Sequence, residues 1–196
     1  MRASILPGLL SCLLFLTVPG HAQETPKFEK IRDLSPDKKF AARISCDSEP
    51  EDPEKIDSDL ITAIDIVSLP AKEVVVSLGP GLGLENFKFV WSSDSKWFAF
   101  PFSEGHRVTE TKVYNLRGNK FDEVNTENLR ADVKGDVRNE YITPLRWVKP
   151  GTLLLEQYDI FRGGNGDDAT FQFTVRFQQD GKFHVISKKK VPNKTE

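Results

Sequence analysis

Apolar and polar positions along the chain fall into short runs rather than long stripes. Between Glu85 and Val124 four runs follow one another: Phe87 to Trp91, Lys96 to Phe102, Thr111 to Asn115 and Lys120 to Val124. They are separated by Ser92-Ser93-Asp94-Ser95, by a loop around Ser103-Glu104-Gly105-His106-Arg107, and by Arg117-Gly118-Asn119. Turn residues that stop a β-branched or aromatic run before a helix can bury its stripe favour strands. The stretch therefore reads as one antiparallel meander. Trp97-Phe98-Ala99-Phe100 is apolar on both faces, as a strand covered on two sides must be. Pro101 cannot donate to a ladder, so a bulge or the end of the strand is expected there.

The same pattern occurs three times. Leu34-Ser35-Pro36-Asp37-Lys38-Lys39-Phe40-Ala41-Ala42 matches Trp91-Ser92-Ser93-Asp94-Ser95-Lys96-Trp97-Phe98-Ala99 at an offset of 57, and Arg146-Trp147-Val148-Lys149-Pro150-Gly151-Thr152-Leu153 continues the series with Trp147 56 places after Trp91. Ile64 to Leu69, Lys112 to Leu116 and Phe173 to Phe177 each run into a short turn, then Lys72, Lys120 or Lys182 and a last strand. Three four-stranded units follow, over about 27–80, 86–124 and 142–190.

The Ser-Pro-Asp-Lys-Lys and Trp-Ser-Ser-Asp-Ser-Lys-Trp-Phe-Ala-Phe segments resemble the repeats of TolB-like β-propellers. The second unit matches well and the first moderately. The third departs, with Lys-Pro-Gly where Ser-x-Asp belongs. That family includes partner-binding modules and domains attached to peptidases, so the resemblance implies a scaffold and leaves the activity open. Closed propellers have about four to eight blades. Three units imply an open arc, an unusually small ring, or part of a ring completed by another copy, with a compact three-blade arrangement expected. The fold class is accordingly all-β, with three propeller-like four-stranded antiparallel blades.

Between the second and third units, Leu129, Val133 and Val137 recur at spacing four behind Thr126, a pattern that predicts one short amphipathic helix weakened by Gly135. At the start of the chain, Arg2, the apolar run Ile5 to Val18 and Pro19-Gly20-His21-Ala22 have the order of a secretory signal peptide, cleaved after Ala22. The run is about 14 residues long and contains Pro7 and Gly8, against roughly 20 for a membrane span. A single domain at 23–196 is expected, secreted or periplasmic. Cys12, in mid-run, only loosely fits a lipoprotein box.

Losing Arg2 from 27 Lys+Arg leaves 26 against 29 Asp+Glu, a formal charge of −3, which gives no basic surface for nucleic acid. Cys46 is then the only thiol, so no intrachain disulfide can form, and its phase with Phe40, Ala42 and Ile44 marks it as a core residue.

No Gly-x-Ser-x-Gly, His-Glu-x-x-His or cysteine pair is present, and no cofactor is implied. Gly163-Gly164-Asn165-Gly166-Asp167-Asp168 matches one copy of a calcium nonapeptide that works by stacking, which leaves a hairpin loop as the better reading and metal binding open. The Asp47–Asp59 loop carries seven acids and one lysine.

Equivalent connections differ in length. The first and third turns of each unit are short, while the second connections, Asp47 to Asp59, Ser103 to Glu110 and Arg162 to Asp168, are long and polar. In an up-and-down sheet the second connections share one end with the links between units. Loops on a rigid scaffold carry binding groups. That face is expected to bind a protein or small ligand of the cell envelope, through Glu51, Asp52, His106, Arg107, Arg162, Asp167 and Asp168. Two other classes stay open: a hydrolase using paired carboxylates, and a structural role in a larger oligomeric ring.

Overall fold

The structure is a computed structural model that describes residues 26–79, 88–103, 105–163, 168–178 and 181–193. Among the described residues strands dominate, and the one helical element is a 3₁₀ turn at Ser58–Leu60, where Asp57 accepts the amide of Asp59. The expected signal peptide, and most of the Gly163–Asp168 motif, lie outside the described residues.

Among the described residues twelve strands form three consecutive antiparallel meanders. The first contains β1 (Phe28–Arg32), β2 (Phe40–Cys46), β3 (Ile61–Ser68) and β4 (Val74–Ser77). The second contains β5 (Val90–Trp91), β6 (Trp97–Ser103), β7 (Val108–Arg117) and β8 (Lys120–Val124). The third contains β9 (Val137–Lys149), β10 (Thr152–Phe161), β11 (Asp168–Phe177) and β12 (Phe183–Val191). The expected sheets are not all separate, however. β7 pairs with β8 along its second half, and its first residues pair in parallel with β9, Val108 opposite Glu140 and Thr109 opposite Tyr141. One four-stranded and one eight-stranded sheet result, neither closed on itself.

The first two turns are built alike. Ser35 Oγ donates to Asp37 at 2.8 Å and accepts the Phe40 amide at 3.0 Å; Ser92 Oγ does the same with Asp94 at 2.6 Å and Trp97 at 3.0 Å. Short polar side chains bonded to nearby backbone in this way close a turn without a ladder. Each turn needs one residue at positive φ: Lys38 at 60°, Ser95 at 58° and, in the divergent third turn, Gly151 at 69°. Glycine supplies there what the Ser–Asp bonds enforce elsewhere.

Contacts between units repeat too. The Trp91 indole N–H donates to Asp33 O at 2.8 Å and the Trp147 indole N–H to Val90 O at 2.9 Å, while Trp91 stacks on Phe40 and Trp147 packs at a tilt against Trp97. Two cores lie behind these contacts. One joins Ile44, Ile64 and Ile66 of the first sheet to Phe98, Phe100 and Phe121; the other collects Val113, Leu153, Leu155, Phe173 and Val175. Cys46 is fully buried in the first, as its phase required.

Two local expectations are corrected. Pro101 neither ends nor bulges β6 but pairs in register with Thr111. The β5 ladder stops at Val90 opposite Ala99, so at Pro101 the strand has a partner on one side only, where proline is tolerated. The helix expected before the third unit does not form. Asn125 accepts the Glu127 amide in a local turn, Asn128 takes φ 62° and Gly135 φ 131°, and the chain enters β9 at Val137. Leu129 is still buried and Val133 still packs on the core. A four-residue spacing thus marked inward side chains correctly and misjudged the backbone, because pairing with β7 and β10 outcompetes a weak helix.

Candidate functional site

Along β10 the inward positions read Leu153, Leu155, Gln157, Asp159. The first two fill the second core, and the period of two then points two polar side chains the same way. Both are sealed from solvent, Gln157 at 1% and Asp159 at 0% exposure. Register places Asp159 opposite Glu140 and Gln157 opposite Ile142 on β9.

The irregular link of residues 125–136 crosses this end of the sheet, and Gln157 ties it down as a surrogate peptide group. Its Oε1 accepts the Ala131 amide at 2.7 Å. Its Nε2 donates to Asp159 Oδ2 at 2.9 Å and lies 3.4 Å from both Ala131 O and Glu140 Oε2. Asp159 Oδ1 accepts no hydrogen bond among the described residues. Burial pushes the Glu140 carboxyl above its ordinary range, the Asp159 charge adds to this, Arg130 opposes it and Glu110 adds a little more. Burial likewise raises Asp159, against the Gln157 hydrogen bond and Arg130. Desolvation disfavours a carboxylate, and a like charge nearby does so again.

Glu140 and Gln157 line a cleft of about 400 Å³ whose other walls include Val108, Arg130, Val133 and Gly135. Gly135 lies against one edge of the Phe161 ring, which an added Cβ would meet at 2.9 Å. Glu140 and Arg130 also border a second hollow of about 200 Å³ beside Glu110 and Leu129.

The opposite face of this end is polar and aromatic. Tyr141 and Tyr158 stack at 6.0 Å; Asn139 donates to the Tyr141 hydroxyl at 2.7 Å, and that hydroxyl donates to His106 O at 3.0 Å. Tyr158 donates to Asp168 Oδ2 at 2.6 Å, and Asn193 donates to Asp168 Oδ1.

The residues expected to bind fall into two groups. His106, Arg107, Arg162 and Asp168 do border the β9–β10 end, mostly in structural roles. His106 and Arg107 present carbonyls, to Tyr141 and to the Glu140 amide at 2.9 Å, and Arg162 pairs with Asp136 at 3.6 Å. Glu51 and Asp52 are exposed on the other sheet, where Asp52 caps the Glu54 amide at 2.9 Å. Asp167 is outside the described residues. Sequence reading missed Arg130, Glu140, Gln157 and Asp159. Its available signal was polar residues at core parity in β10.

A larger open hollow of about 1180 Å³ covers the outer face of the first sheet, where Arg43 pairs with Asp65 at 2.7 Å and Glu29 at 3.5 Å while its Nε has no hydrogen-bond partner among the described residues. Among the described residues no group of His, Cys, Asp and Glu is arranged to hold a metal, and no helix is long and apolar enough to cross a membrane. No family model matches the chain, and no curated protein matches it, so the TolB-like resemblance rests on the repeat residues themselves.

Proposed function

We propose that the chain is an exported binding module on a three-unit, propeller-like scaffold, and that its site is the cleft where the 125–136 link crosses β9 and β10. The observation that carries this is the sealed set of Gln157 and Asp159 at positions where the strand period asks for core residues. Burying a carboxylate without a full complement of hydrogen bonds is costly, and such cost is concentrated at functional sites. Export rests on the composition of residues 1–22.

Capture from a native envelope fraction tests the reading, with residues 125–136 replaced by a shorter polar linker in a protein shown to be folded. A specific partner or ligand lost on that replacement supports it. Retention of every partner overturns the location of the site.

The register opposing Glu140 to Asp159 favours one other reading, a carboxylate-pair hydrolase. Directly opposed strand residues have Cβ atoms about 4.5–5.5 Å apart, which suits two carboxyl groups acting on one bond. Asp159 has no exposed surface and does not line the cleft, which leaves Glu140 without a second carboxylate there to share a substrate, so binding along the Glu140–Gln157 wall is the better reading. Turnover in a hydrolase screen that is abolished by Glu140→Gln would reverse that order.

A further inference from the structure

We propose that the outer edge of β12 takes an extended, acidic polypeptide segment, which adds to the eight-stranded sheet as one more strand. Among the described residues none of β12 lines the cleft proposed above, so this is a second surface. β12 ends the strand order and pairs with β11 alone, so the N–H and C=O groups on its other side have no ladder partner among the described residues. The last strands of the first two units, β4 and β8, are four and five residues long, whereas β12 runs for nine. That extra length adds little to the core, since every residue from His184 to Lys190 is exposed. The strand is nonetheless held in place. Lys188 donates to the carbonyl of Asp132, and just past the strand Asn193 accepts from Thr170 at 2.9 Å and donates to Asp168. A template fixed beforehand lowers the ordering cost of adding a strand.

Composition selects the partner. β12 carries Lys188, Lys189 and Lys190 and no acid, and none of the three forms an ion pair among the described residues. Side chains alternate along a strand, so Lys188 and Lys190 project to one face of the sheet and Lys189 to the other. A flat anionic layer such as a lipid surface meets one face only. Carboxylates at successive positions of an added strand reach both, each opposite a lysine. Two β12 edges, by contrast, would set these lysines against one another. Ile186 is also an extra residue, because Val175 pairs with Val185 and Thr174 with Ser187, and such a bulge breaks the flat edge that self-pairing needs. The regular stretch Ser187 to Val191 remains as the template. Next to it, Val185 and Ile186 are large apolar residues left 43% and 49% exposed, and a strand laid along β12 would cover part of them.

Amide-resolved NMR titration at low ionic strength tests this with the acetylated, amidated nonapeptide Thr-Val-Thr-Glu-Glu-Glu-Thr-Val-Thr. Two controls accompany it: the same peptide with lysine for glutamate, and the acidic peptide N-methylated throughout, which keeps its charge and loses every ladder donor. Saturable shifts and slowed hydrogen exchange along β12 are expected for the acidic peptide alone. The double variant Lys189→Glu, Lys190→Glu should weaken them about tenfold or more, while its exposed sites leave the urea midpoint nearly unchanged. Equal binding of either control peptide, shifts centred elsewhere, or undiminished binding by the double variant would overturn the proposal. Shifts in β12 that grow with protein concentration in the absence of peptide would make the occupant a second copy. Phosphatidylglycerol vesicles bound by a protein that ignores the acidic peptide would make it a lipid surface. Either result rejects the acidic strand.

Discussion

Asp159 occupies a place in β10 that the two residues before it in phase, Leu153 and Leu155, give to the core. With Glu140 it is held above its ordinary range, which sets a sign for pH. A folded-state value above the unfolded one means the folded chain keeps a proton that the unfolded chain has released, so stability falls as pH rises through that interval and returns on acidification. Asp37 acts oppositely: burial tends to raise it, but hydrogen bonds from Ser35, the Lys39 amide and Ser95, with the Lys39 charge, hold it below 3.8, so its contribution is lost only in stronger acid. Urea midpoints should therefore rise as the pH is lowered from neutral toward the ordinary carboxylate range. Asp159→Asn, whose neutral amide keeps the shape, should stabilise the protein at pH 7.5 by about 1 kcal/mol and flatten that rise. A variant less stable than wild type would show that Asp159 contributes to folding rather than to a site. The two indoles give a second test. Trp91→Phe and Trp147→Phe each leave one backbone carbonyl without its donor and should each cost about 1–3 kcal/mol in thermal or urea unfolding. Strongly unequal losses would mean that the two contacts are equivalent in appearance only.

At the scale of elements, the β-turns and the link show how local chemistry and pairing divide the work. Gly151 has ordinary van der Waals space around an added Cβ, 3.7 Å from Phe177 O, so Gly151→Ala should cost about 1–2 kcal/mol through its positive φ alone. The reverse change at the exposed Lys38, Lys38→Gly, should leave the urea midpoint unchanged or raise it. The link depends on one side chain. Gln157→Ala removes the partner of the Ala131 amide, and should cost about 1–3 kcal/mol while hydrogen exchange at Ala131 accelerates more than at amides of β10. Uniform acceleration through β10 would instead mean that Gln157 holds the strand and not the link.

For the whole molecule, the order of units carries information about assembly. Trp91 of the second unit donates to the first, and Trp147 of the third donates to the second. Leu34 holds the equivalent place in the first unit, is 51% exposed and has no side-chain N–H to offer another unit. Ring closure by another copy would lack the hydrogen bond that both internal contacts use. A monomer is therefore expected by light scattering at micromolar concentration, and a discrete oligomer would favour the ring-forming reading.

The all-β class, the Ser–Asp turns before β2 and β6 and the burial of Cys46 were legible in the amino-acid order, because each depends on residues within a few places of one another. A period of two selects the inward side chains of a strand, and Ser, Asp and Gly close a turn through their own backbone. Even Leu129 and Val133 were read correctly as inward-facing residues. What tertiary structure alone decided was pairing between distant segments. Val137 to Tyr141 became strand because β10 and the first residues of β7 were there to receive it, and that pairing fused the second and third units into one sheet. The candidate site follows from the same event. Glu140 meets Asp159 only through the β9–β10 register, and Gln157 reaches Ala131, 26 residues away, only after the link has been laid across the sheet. Long-range register is a collective result of packing and ladder energy, and no local preference in the 125–141 segment encodes it.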